Sequence, residues 1–244
     1  MPKGLLPQDI KALNERFINT HPVEIIRWAV ETFRPDVALT SSFGARSAVL
    51  IHMAIQADPK MNIRLVDTGL LFPETLEFVE HLKRRFSLNL TVVRSKLNVD
   101  QFLKEHAGQA PGHPDFCCSP WKVEATERAL ADLRCWITGI QRSESTTRAQ
   151  TPFVELLEDG MVKVAPLAAW NSKQQHAYMG EHDLPYHPLW EKGYTSIGCW
   201  PCTQKPVDPN NPRSGRWAGQ DKTECGIHDI GKPNPKDNKP GAHP

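Results

Sequence analysis

The sequence has no long hydrophobic run and no marked charge imbalance. Its longest uncharged stretch with apolar character, Ser47 to Ala57, is too short to span a bilayer. The opening residues, MPKGLLPQDIKALNERF, contain no apolar signal core. Lys+Arg 29 against Asp+Glu 28 leaves a formal charge of +1, which argues against a broad surface that neutralises phosphates. We therefore expect a cytoplasmic protein with neither a membrane nor a nucleic acid as its partner.

What is present is typical of a globular protein. The chain of 244 residues is 39% hydrophobic and 23% charged, which fits one large domain or one domain with an appendage. It also contains 6 cysteines. Disulfides are rare in a reducing cytoplasm, so these cysteines require another explanation.

The spacing of apolar residues predicts an α/β fold. Two amphipathic helices are expected first, and short apolar strands then alternate with helices, which is typical of βαβ units and a mostly parallel, twisted sheet. A hairpin is expected at the edge of the sheet. The predicted strands are 36–40, 62–66, 90–93 and 135–138, the hairpin strands are 153–157 and 161–164, and the helices after the first two are 47–57, 73–86, 99–106 and 120–133.

Three parts follow from this pattern. Residues 1–35 are expected to pack as helices on the core, and residues 36–203 to form the α/β domain. Residues 204–244 are rich in proline and glycine and poor in apolar side chains, so they cannot build a core of their own. We expect a flexible tail that is disordered from Lys232 to Pro244, although Trp217 and Cys225 indicate that part of it docks.

A loop of small residues, Thr40 to Ser47, joins the first strand to the helix that follows. Small residues let backbone N–H groups approach an anion, and the helix N-terminus adds a favourable dipole. The loop lacks the GK[ST] ending of a Walker A motif, and an ordinary turn with capping serines is the alternative interpretation. The candidate binding residues are Ser41, Ser42, Phe43, Gly44, Ala45 and Ser47.

A second loop follows the second predicted strand. Its residues Asp67, Thr68 and Gly69 are expected beside the first loop, because neighbouring parallel strands end at the same edge of a sheet. The alternative is a glycine turn before a helix that opens at Pro73. Two loops at one edge favour a nucleotide site.

Two pairs of cysteines suggest a metal centre. Cys117 and Cys118 are adjacent, and Cys199 and Cys202 form a CxxC pair. Four thiolates suit either tetrahedral zinc or an iron–sulfur cluster, and a CxxC pair can also be a redox couple. We favour a cluster, because adjacent ligands are awkward on one zinc ion but can bind different irons.

The two remaining cysteines differ in their surroundings. Cys135 lies in a predicted apolar strand and is expected to be an inert core residue. Cys225 stands alone in the polar tail, near Arg213, Arg216 and Lys222. These cations would lower its pKa, although Glu224 would oppose them, so Cys225 is the candidate nucleophile. An incidental surface cysteine is the alternative.

Together these stretches resemble the assimilatory sulfonucleotide reductases, which reduce adenylyl sulfate or its 3′-phosphorylated form to sulfite. The two cysteine pairs followed by a terminal ECGIH are the most specific part of the resemblance. The matching stretches, in family order, are Ser41–Ala45, Asp67–Thr75, Cys117–Cys118 with Lys122–Val123, Thr147–Ala149, Pro166–Ala168, Leu184–Tyr186, Gly193–Cys199, Pro201–Thr203, Gly215–Trp217 and Lys222–His228.

The resemblance implies an architecture like that of the PP-loop pyrophosphatases. It implies a [4Fe–4S] cluster on Cys117, Cys118, Cys199 and Cys202, with Lys122 as its electrostatic partner and Cys225 as the nucleophile. Members with all four cluster cysteines typically prefer adenylyl sulfate. The chain departs from the family at Gln141, where an arginine is usual, at Ser143, Glu144 and Thr146, and at Trp121, which precedes Lys122 in place of an arginine.

The expected reaction is a transfer of the sulfuryl group to the Cys225 thiolate, with AMP as the leaving group. The cations Arg142, Arg148, Arg213 and Arg216 are expected to balance the developing charge, and His228 is a further candidate at the substrate. Releasing sulfite needs a second thiol. If four cysteines are ligands and Cys135 is buried, that thiol must come from a thioredoxin-like protein.

Several alternatives remain at this point. The substrate is either adenylyl sulfate, which we favour, or its 3′-phosphorylated form. A PP-loop enzyme that thiolates tRNA would be expected to carry an SGGxDS-type loop, whereas this chain has SSFGARS. A non-enzymatic module with structural zinc is the third alternative. The oligomeric state is open, a homo-oligomer included.

Overall fold

A six-stranded, mostly parallel sheet forms the centre of the molecule. The computed structural model describes residues 5–96, 100, 104, 118–208, 210–219 and 222–231. The strand order is β3-β2-β1-β4-β6-β5, and only the β5–β6 pair is antiparallel among the described strands. The strands are β1 (Val37–Thr40), β2 (Asn62–Asp67), β3 (Asn89–Arg94), β4 (Cys135–Ile137), β5 (Val154–Leu156) and β6 (Val162–Val164).

The helices follow the sequence pattern closely at the start of the chain. Proline occupies the first turn of several of them, where its missing N–H costs no hydrogen bond. The helices are α1 (Pro7–Phe17), α2 (Pro22–Phe33), α3 (Ser47–Ala57), α4 (Pro73–Phe86), α5 (Glu124–Leu130), α6 (Ser172–Glu181) and α7 (Pro188–Glu191).

The structure confirms the predicted α/β class and the edge hairpin. The predicted helix 120–133 is instead a π-helical turn, Cys118–Val123, followed by α5, which ends at Leu130. A π-helical turn widens the helix, and here it carries Cys118 and Lys122. The predicted helix 99–106, Cys117 and the predicted disordered end 232–244 lie largely or wholly outside the described residues.

The core lies on both faces of the sheet. Helix α3 is apolar around much of its circumference because it is buried between α2 and the sheet, whereas α4 is amphipathic and buries one side. Among the described helices, none has the length and hydrophobicity that a membrane span requires. The loops after β1 and β4 meet at the carboxyl edge of the sheet, where parallel folds place their ligands.

One histidine is built into this core. His187 is 0% exposed, and its Nδ1 accepts a hydrogen bond from the backbone N–H of Leu189 at 3.1 Å. The Nε2 nitrogen therefore carries the proton and donates it to Thr75 Oγ1 at 2.9 Å. Burial lowers the pKa of His187 from 6.5 to about 4, since a charged ring would lose its hydration.

This histidine predicts a loss of stability in mild acid. Between pH 6.5 and about 4 the unfolded chain binds a proton at His187 that the folded chain does not, so the free energy of unfolding falls as the pH falls. The contribution is at most about 3.5 kcal/mol, because one pKa unit corresponds to about 1.4 kcal/mol. Urea unfolding across this range is expected to show a shallower pH dependence in His187→Gln than in the wild type. Equal slopes in the two proteins would contradict the assignment.

Candidate active site

A cavity opens at the carboxyl ends of β1 and β4. One wall is the 41–47 loop and another is the segment after β4. The tail lines the remaining side with Arg213, Arg216, Trp217, Glu224, Cys225, Ile227 and His228. Cys225 lines the cavity, although its side chain is only 8% exposed. The tail segment that the sequence predicts to be flexible is thus docked at the sheet edge, in the part of it that the structure describes.

The first loop forms part of the cavity wall as predicted. Ser41, Ser42, Gly44, Ala45 and Ser47 line the cavity, whereas Phe43 is fully buried in the core with a left-handed φ of 49°. Ser41 Oγ accepts a hydrogen bond from the Phe43 N–H at 3.1 Å, which stabilises this turn. None of the serines caps α3, whose N-cap residue is Arg46 with no side-chain cap bond. The capping-serine interpretation therefore does not hold for α3.

The second loop contacts the CxxC segment rather than the cavity. Asp67 accepts a hydrogen bond from the Gly69 N–H at 2.8 Å and pairs with Arg94 at 3.5 Å. The Thr68 hydroxyl lies 3.3 Å from Cys199 Sγ. Asp67, Thr68 and Gly69 are absent from the residues that line the cavity, and of the three it is Thr68 that contacts the cysteine segment.

The cavity wall contains buried polar atoms that have no partner within the described part of the protein. A buried polar atom without a partner is costly, so a group of them at one cavity indicates a polar ligand. The atoms that share this property and line the cavity are Ser47 Oγ, Gln141 Oε1, Gln175 Nε2, Trp217 Nε1 and His228 Nδ1.

Gln175 is a site residue that the sequence analysis missed. It lies on α6, is 3% exposed, and its Oε1 accepts a hydrogen bond from Arg46 Nε at 3.0 Å. Because Arg46 holds the oxygen, the amide nitrogen is the atom left without a partner. Arg46 in turn stacks on the Trp190 ring at 5.7 Å. A lone glutamine on a polar helix gives no sequence signal of this role.

Three of the four predicted ligand cysteines surround the same space. Cys118 and Cys202 pack with Cys225 and Trp217 in one small buried cluster, and Cys199 begins the adjoining 3-10 turn. Cys118, Cys199 and Cys225 carry free thiols. Cys117 lies outside the described residues, and within those that are described no three Cys, His, Asp or Glu side chains converge as ligands of one ion.

Lys122 is a cation whose charge interacts with these thiols. The negative charge of Cys225, and then of Cys199 and Cys118, raises the pKa of Lys122 against the opposing effect of burial. Burial of Cys225 opposes its ionisation, but Lys122, a backbone hydrogen bond at Ile227 and Arg216 outweigh burial and lower the pKa of Cys225. An ammonium beside a thiol favours the thiolate, which is the nucleophilic form.

The four predicted arginines have different surroundings. Arg148, Arg213 and Arg216 line the cavity. Arg142 does not: its Nε donates to the Thr151 carbonyl at 2.7 Å, and its guanidinium lies 4.8 Å from the Phe153 ring centre. Arg142 lines a neighbouring cavity instead. Its backbone path after β4, which the sequence does not specify, directs the side chain away from Cys225.

His228 lies in the cavity as a neutral side chain. Burial, followed by the nearby cations Arg148 and Lys163, lowers the pKa of His228 well below its usual value. Its ring stacks on Trp136 at 5.9 Å with an interplanar angle of 10°. Its carbonyl accepts a hydrogen bond from Lys163 Nζ at 2.9 Å. His228 therefore offers a ring nitrogen, rather than a charge, to a ligand.

Comparison with known proteins places this geometry in a family. Residues 36–205 match the phosphoadenosine phosphosulfate reductase domain. The chain belongs to this reductase family. The matched range includes both predicted loops, Lys122 and all four predicted cluster cysteines, and it ends before Cys225.

Relatives match over most of the reductase. It is 39% identical over 238 residues to the adenosine 5′-phosphosulfate reductase of Salinibacter ruber, and the alignment covers 96% of this chain and 92% of the relative. It is 38% identical over 227 residues to that of Streptomyces coelicolor, covering 91% and 95%. It is also 40% identical over 230 residues to the phosphoadenosine 5′-phosphosulfate reductase of Gloeobacter violaceus, covering 92% and 95%.

Solved structures agree with the fold. The phosphate complex of a phosphoadenylyl-sulfate reductase from Candida auris superimposes with a TM-score of 0.71 at 29% identity, covering 81% of this chain and 97% of that one. An FMN adenylyltransferase from Candida glabrata superimposes with a TM-score of 0.55 at 16% identity, covering 90% and 78%. The second likeness shows the fold alone, and it agrees with the α/β architecture predicted from the sequence.

The tail of the reductase docks through close backbone packing at Gly215. A Cβ added to Gly215 would lie 2.1 Å from the Gln204 carbonyl oxygen and 2.7 Å from that of Lys205. The Gly215 carbonyl itself accepts a hydrogen bond from the Gln204 N–H at 2.9 Å, and Thr203 bridges to Arg216 beside it. Only glycine fits this approach, which brings Arg216 and Trp217 over Cys202.

Gly215→Ala is therefore expected to destabilise the reductase by about 2 kcal/mol, because the contacting atoms are backbone and cannot move aside. Gly180→Ala is the matched control, since an added Cβ on α6 meets nothing within 4 Å and alanine favours the helix. Urea unfolding measures both variants. Equal stability of Gly215→Ala and the wild type would contradict this packing.

Proposed function

We propose that this reductase converts adenylyl sulfate to sulfite and AMP in sulfate assimilation, with Cys225 as the nucleophile. The observation that carries the proposal is the position of Cys225: a thiol from the tail lies within a cavity whose wall presents unpartnered polar atoms at the carboxyl edge of the sheet. Relatives named for adenylyl sulfate reduction support the substrate. A relative named for the 3′-phosphorylated substrate keeps that compound as the second candidate.

The chemical step is a displacement at sulfur. The Cys225 thiolate attacks the sulfur of the phosphosulfate and forms an S–S bond, while the S–O bond to the phosphate breaks. AMP leaves with the electron pair, and Cys225 keeps the sulfuryl group as an S-sulfonate. The positive charge of Lys122 favours the thiolate, which is the nucleophilic form of Cys225.

Charge near the leaving group is balanced by groups of this chain. Lys122 and Arg216 both line the cavity beside Cys225. The backbone of the 42–45 loop faces the same space, and small residues there allow oxyanions a close approach. Fixed donors of this kind act without reorganising during the reaction, which is how they lower a barrier that involves developing charge.

Releasing sulfite requires a second thiol from another molecule. A thiolate attacks the S-sulfonated Cys225 sulfur, sulfite leaves, and a mixed disulfide forms, which a second external thiol then resolves. The two electrons thus come from two thiols, as in a thioredoxin-like dithiol. Cys135 is unsuited to this role, since it is fully buried and burial raises the pKa of its thiol. We place the reaction in the cytoplasm, where such reductants are available.

A [4Fe–4S] cluster on Cys117, Cys118, Cys199 and Cys202 completes the proposal. The donor chemistry fits: Cys118 and Cys199 are free thiols beside Lys122, Cys202 packs against Cys118, and Cys117 is adjacent to Cys118 in the chain. Soft thiolates are the ligands that iron–sulfur clusters use. When bound, the cluster would supply an electrostatic contribution next to Lys122 rather than the two electrons.

Cys225→Ser is expected to abolish the S-sulfonated adduct, because a serine hydroxyl is not ionised at neutral pH. Mass spectrometry of the C-terminal peptide after incubation with adenylyl sulfate measures the adduct. Cys135→Ala is the matched control and should retain it, since Cys135 lies in the core away from the cavity. An adduct in Cys225→Ser, or substrate consumption by a wild type whose peptide stays unmodified, would refute the nucleophile.

The same assay with both sulfonucleotides decides the substrate. With a thioredoxin present, we expect kcat/KM to be at least about tenfold higher for adenylyl sulfate than for the 3′-phosphorylated form, a difference of about 1.4 kcal/mol. Equal or better use of the phosphorylated form would transfer the assignment to that substrate and leave the chemistry at Cys225 unchanged.

Cys199→Ser tests the cluster independently of activity. The purified wild type is expected to be brown with absorbance near 400 nm, whereas Cys199→Ser should lose both iron and colour because a ligand is removed. Cys135→Ala should retain them. A colourless wild type with stoichiometric zinc, or full iron content in Cys199→Ser, would contradict the cluster.

A further inference from the structure

The residue before the nucleophile is bound more extensively than the nucleophile itself. Glu224 Oε1 accepts a hydrogen bond from Arg148 Nε at 2.7 Å, and Oε2 accepts one from Arg148 Nη2 at 2.7 Å. Arg213 Nη2 donates to Oε2 at 3.2 Å and to the Thr223 carbonyl at 3.0 Å. The hydroxyls of Ser145 and Thr147 lie 3.4 and 3.3 Å from Oε1. A forked guanidinium–carboxylate pair of this kind is among the strongest polar contacts in proteins.

These contacts join two parts of the chain. Arg148 belongs to the 3-10 turn Thr146–Arg148 after β4, and Glu224 belongs to the tail. The Arg148 side chain is 10% exposed and that of Glu224 is 19% exposed, so the pair is shielded from solvent and salt. Glu144 also pairs with Arg148 from the neighbouring turn and holds the guanidinium in place.

The directions of the pKa shifts indicate that Glu224 and Arg148 both stay ionised. Burial opposes ionisation of Glu224, but Arg148 and Arg213 outweigh it and lower the pKa of the carboxyl. Burial likewise opposes the charge of Arg148, but the carboxylates of Glu224 and Glu144 outweigh burial and raise the pKa of the guanidinium. The positive charge of Arg148 is therefore already matched by two carboxylates when the tail is docked, and that of Arg213 by one.

We propose that Glu224 is a positioning residue that fixes Cys225 in the cavity by binding Arg148 and Arg213. This inference rests on the proposed function, in which Cys225 is the nucleophile. Arg148 and Arg213 then bind the tail in the docked state, whereas Lys122, Arg46 and Arg216 also line the cavity and are available to the substrate. Other contacts hold the tail further on: Lys163 binds the His228 carbonyl, and Ile230 packs beside Trp136 and Leu157.

A competing role for Glu224 is that of a stand-in for the substrate's oxyanion. In that case the substrate would displace the carboxylate from Arg148 and Arg213, and removing the carboxylate would favour substrate binding. The two roles predict opposite results, so a single variant separates them. Glu224→Gln keeps the size of the side chain and removes its charge, which makes it the suitable substitution.

Hydrogen exchange of the peptide covering residues 222–231, without substrate, measures docking directly. We expect exchange in Glu224→Gln to be at least about tenfold faster than in the wild type, since exchange follows the population of the open tail. Glu127→Gln is the matched control, because it removes the same charge from an exposed position on α5 and should leave exchange unchanged. An unaltered rate in Glu224→Gln would overturn the proposal.

Single-turnover formation of the S-sulfonate provides the functional readout. We expect its rate constant to fall about tenfold in Glu224→Gln, while the dissociation constant of AMP changes by less than about threefold, because the tail rather than the nucleotide loses its partner. Tighter AMP binding together with an undiminished rate would establish the competing role and overturn ours.

A double-mutant cycle tests the pairing itself. Arg148→Gln is expected to accelerate exchange as Glu224→Gln does, and the double variant should show much less than the product of the two effects, since both remove one interaction. Two independent, multiplying effects would refute the pair. If the wild type forms no adduct with either sulfonucleotide, the proposed function fails, whereas the exchange measurements still decide whether Glu224 holds the tail.

Discussion

The placement of a tail thiol beside a half-buried ammonium is the interaction on which the rest of the active site depends. Cys225 is nearly buried, and a buried thiol ordinarily stays protonated. Lys122 reverses this preference because it lies close enough to stabilise the thiolate. The π-helical turn that carries Lys122 also carries Cys118, so one local irregularity of the backbone positions both the cation and a candidate cluster ligand.

The sheet is the rigid framework on which Cys225 and Lys122 are brought together. Loops after β1 and β4 provide one side of the cavity, and the tail provides the other. Because the tail has few apolar residues, it is held by specific contacts rather than by a core of its own. Glu224, the His228 carbonyl and Gly215 each bind or pack against a different part of the α/β domain. In the proposed function, such a tail would hold Cys225 at the substrate and then be released to an external reductant.

The buried polar atoms that have no partner within the described residues indicate where a ligand would make its polar contacts. These atoms lie on the first loop, on the segment after β4, on α6 and on the tail. A ligand that bonded to all of them would contact all four segments. A nucleotide with an anionic end meets this requirement better than a small anion would. Gln175 contributes a donor whose direction is fixed by Arg46, and this contact is a feature of the assembled fold rather than of any motif.

The sequence alone determined the α/β class and the order of the elements, and it singled out the first loop and the candidate reactive cysteines, because hydrophobic period, small residues and cysteine spacing are local signals. Only the tertiary structure decided which arginines line the cavity with Cys225, that Thr68 contacts Cys199, and that Gln175 and Glu224 line the same cavity. Those relations depend on where distant segments pack and where long side chains point. The sequence does not show whether a charged residue binds a ligand, a carboxylate or a carbonyl. Only the fold brings one of these partners to it.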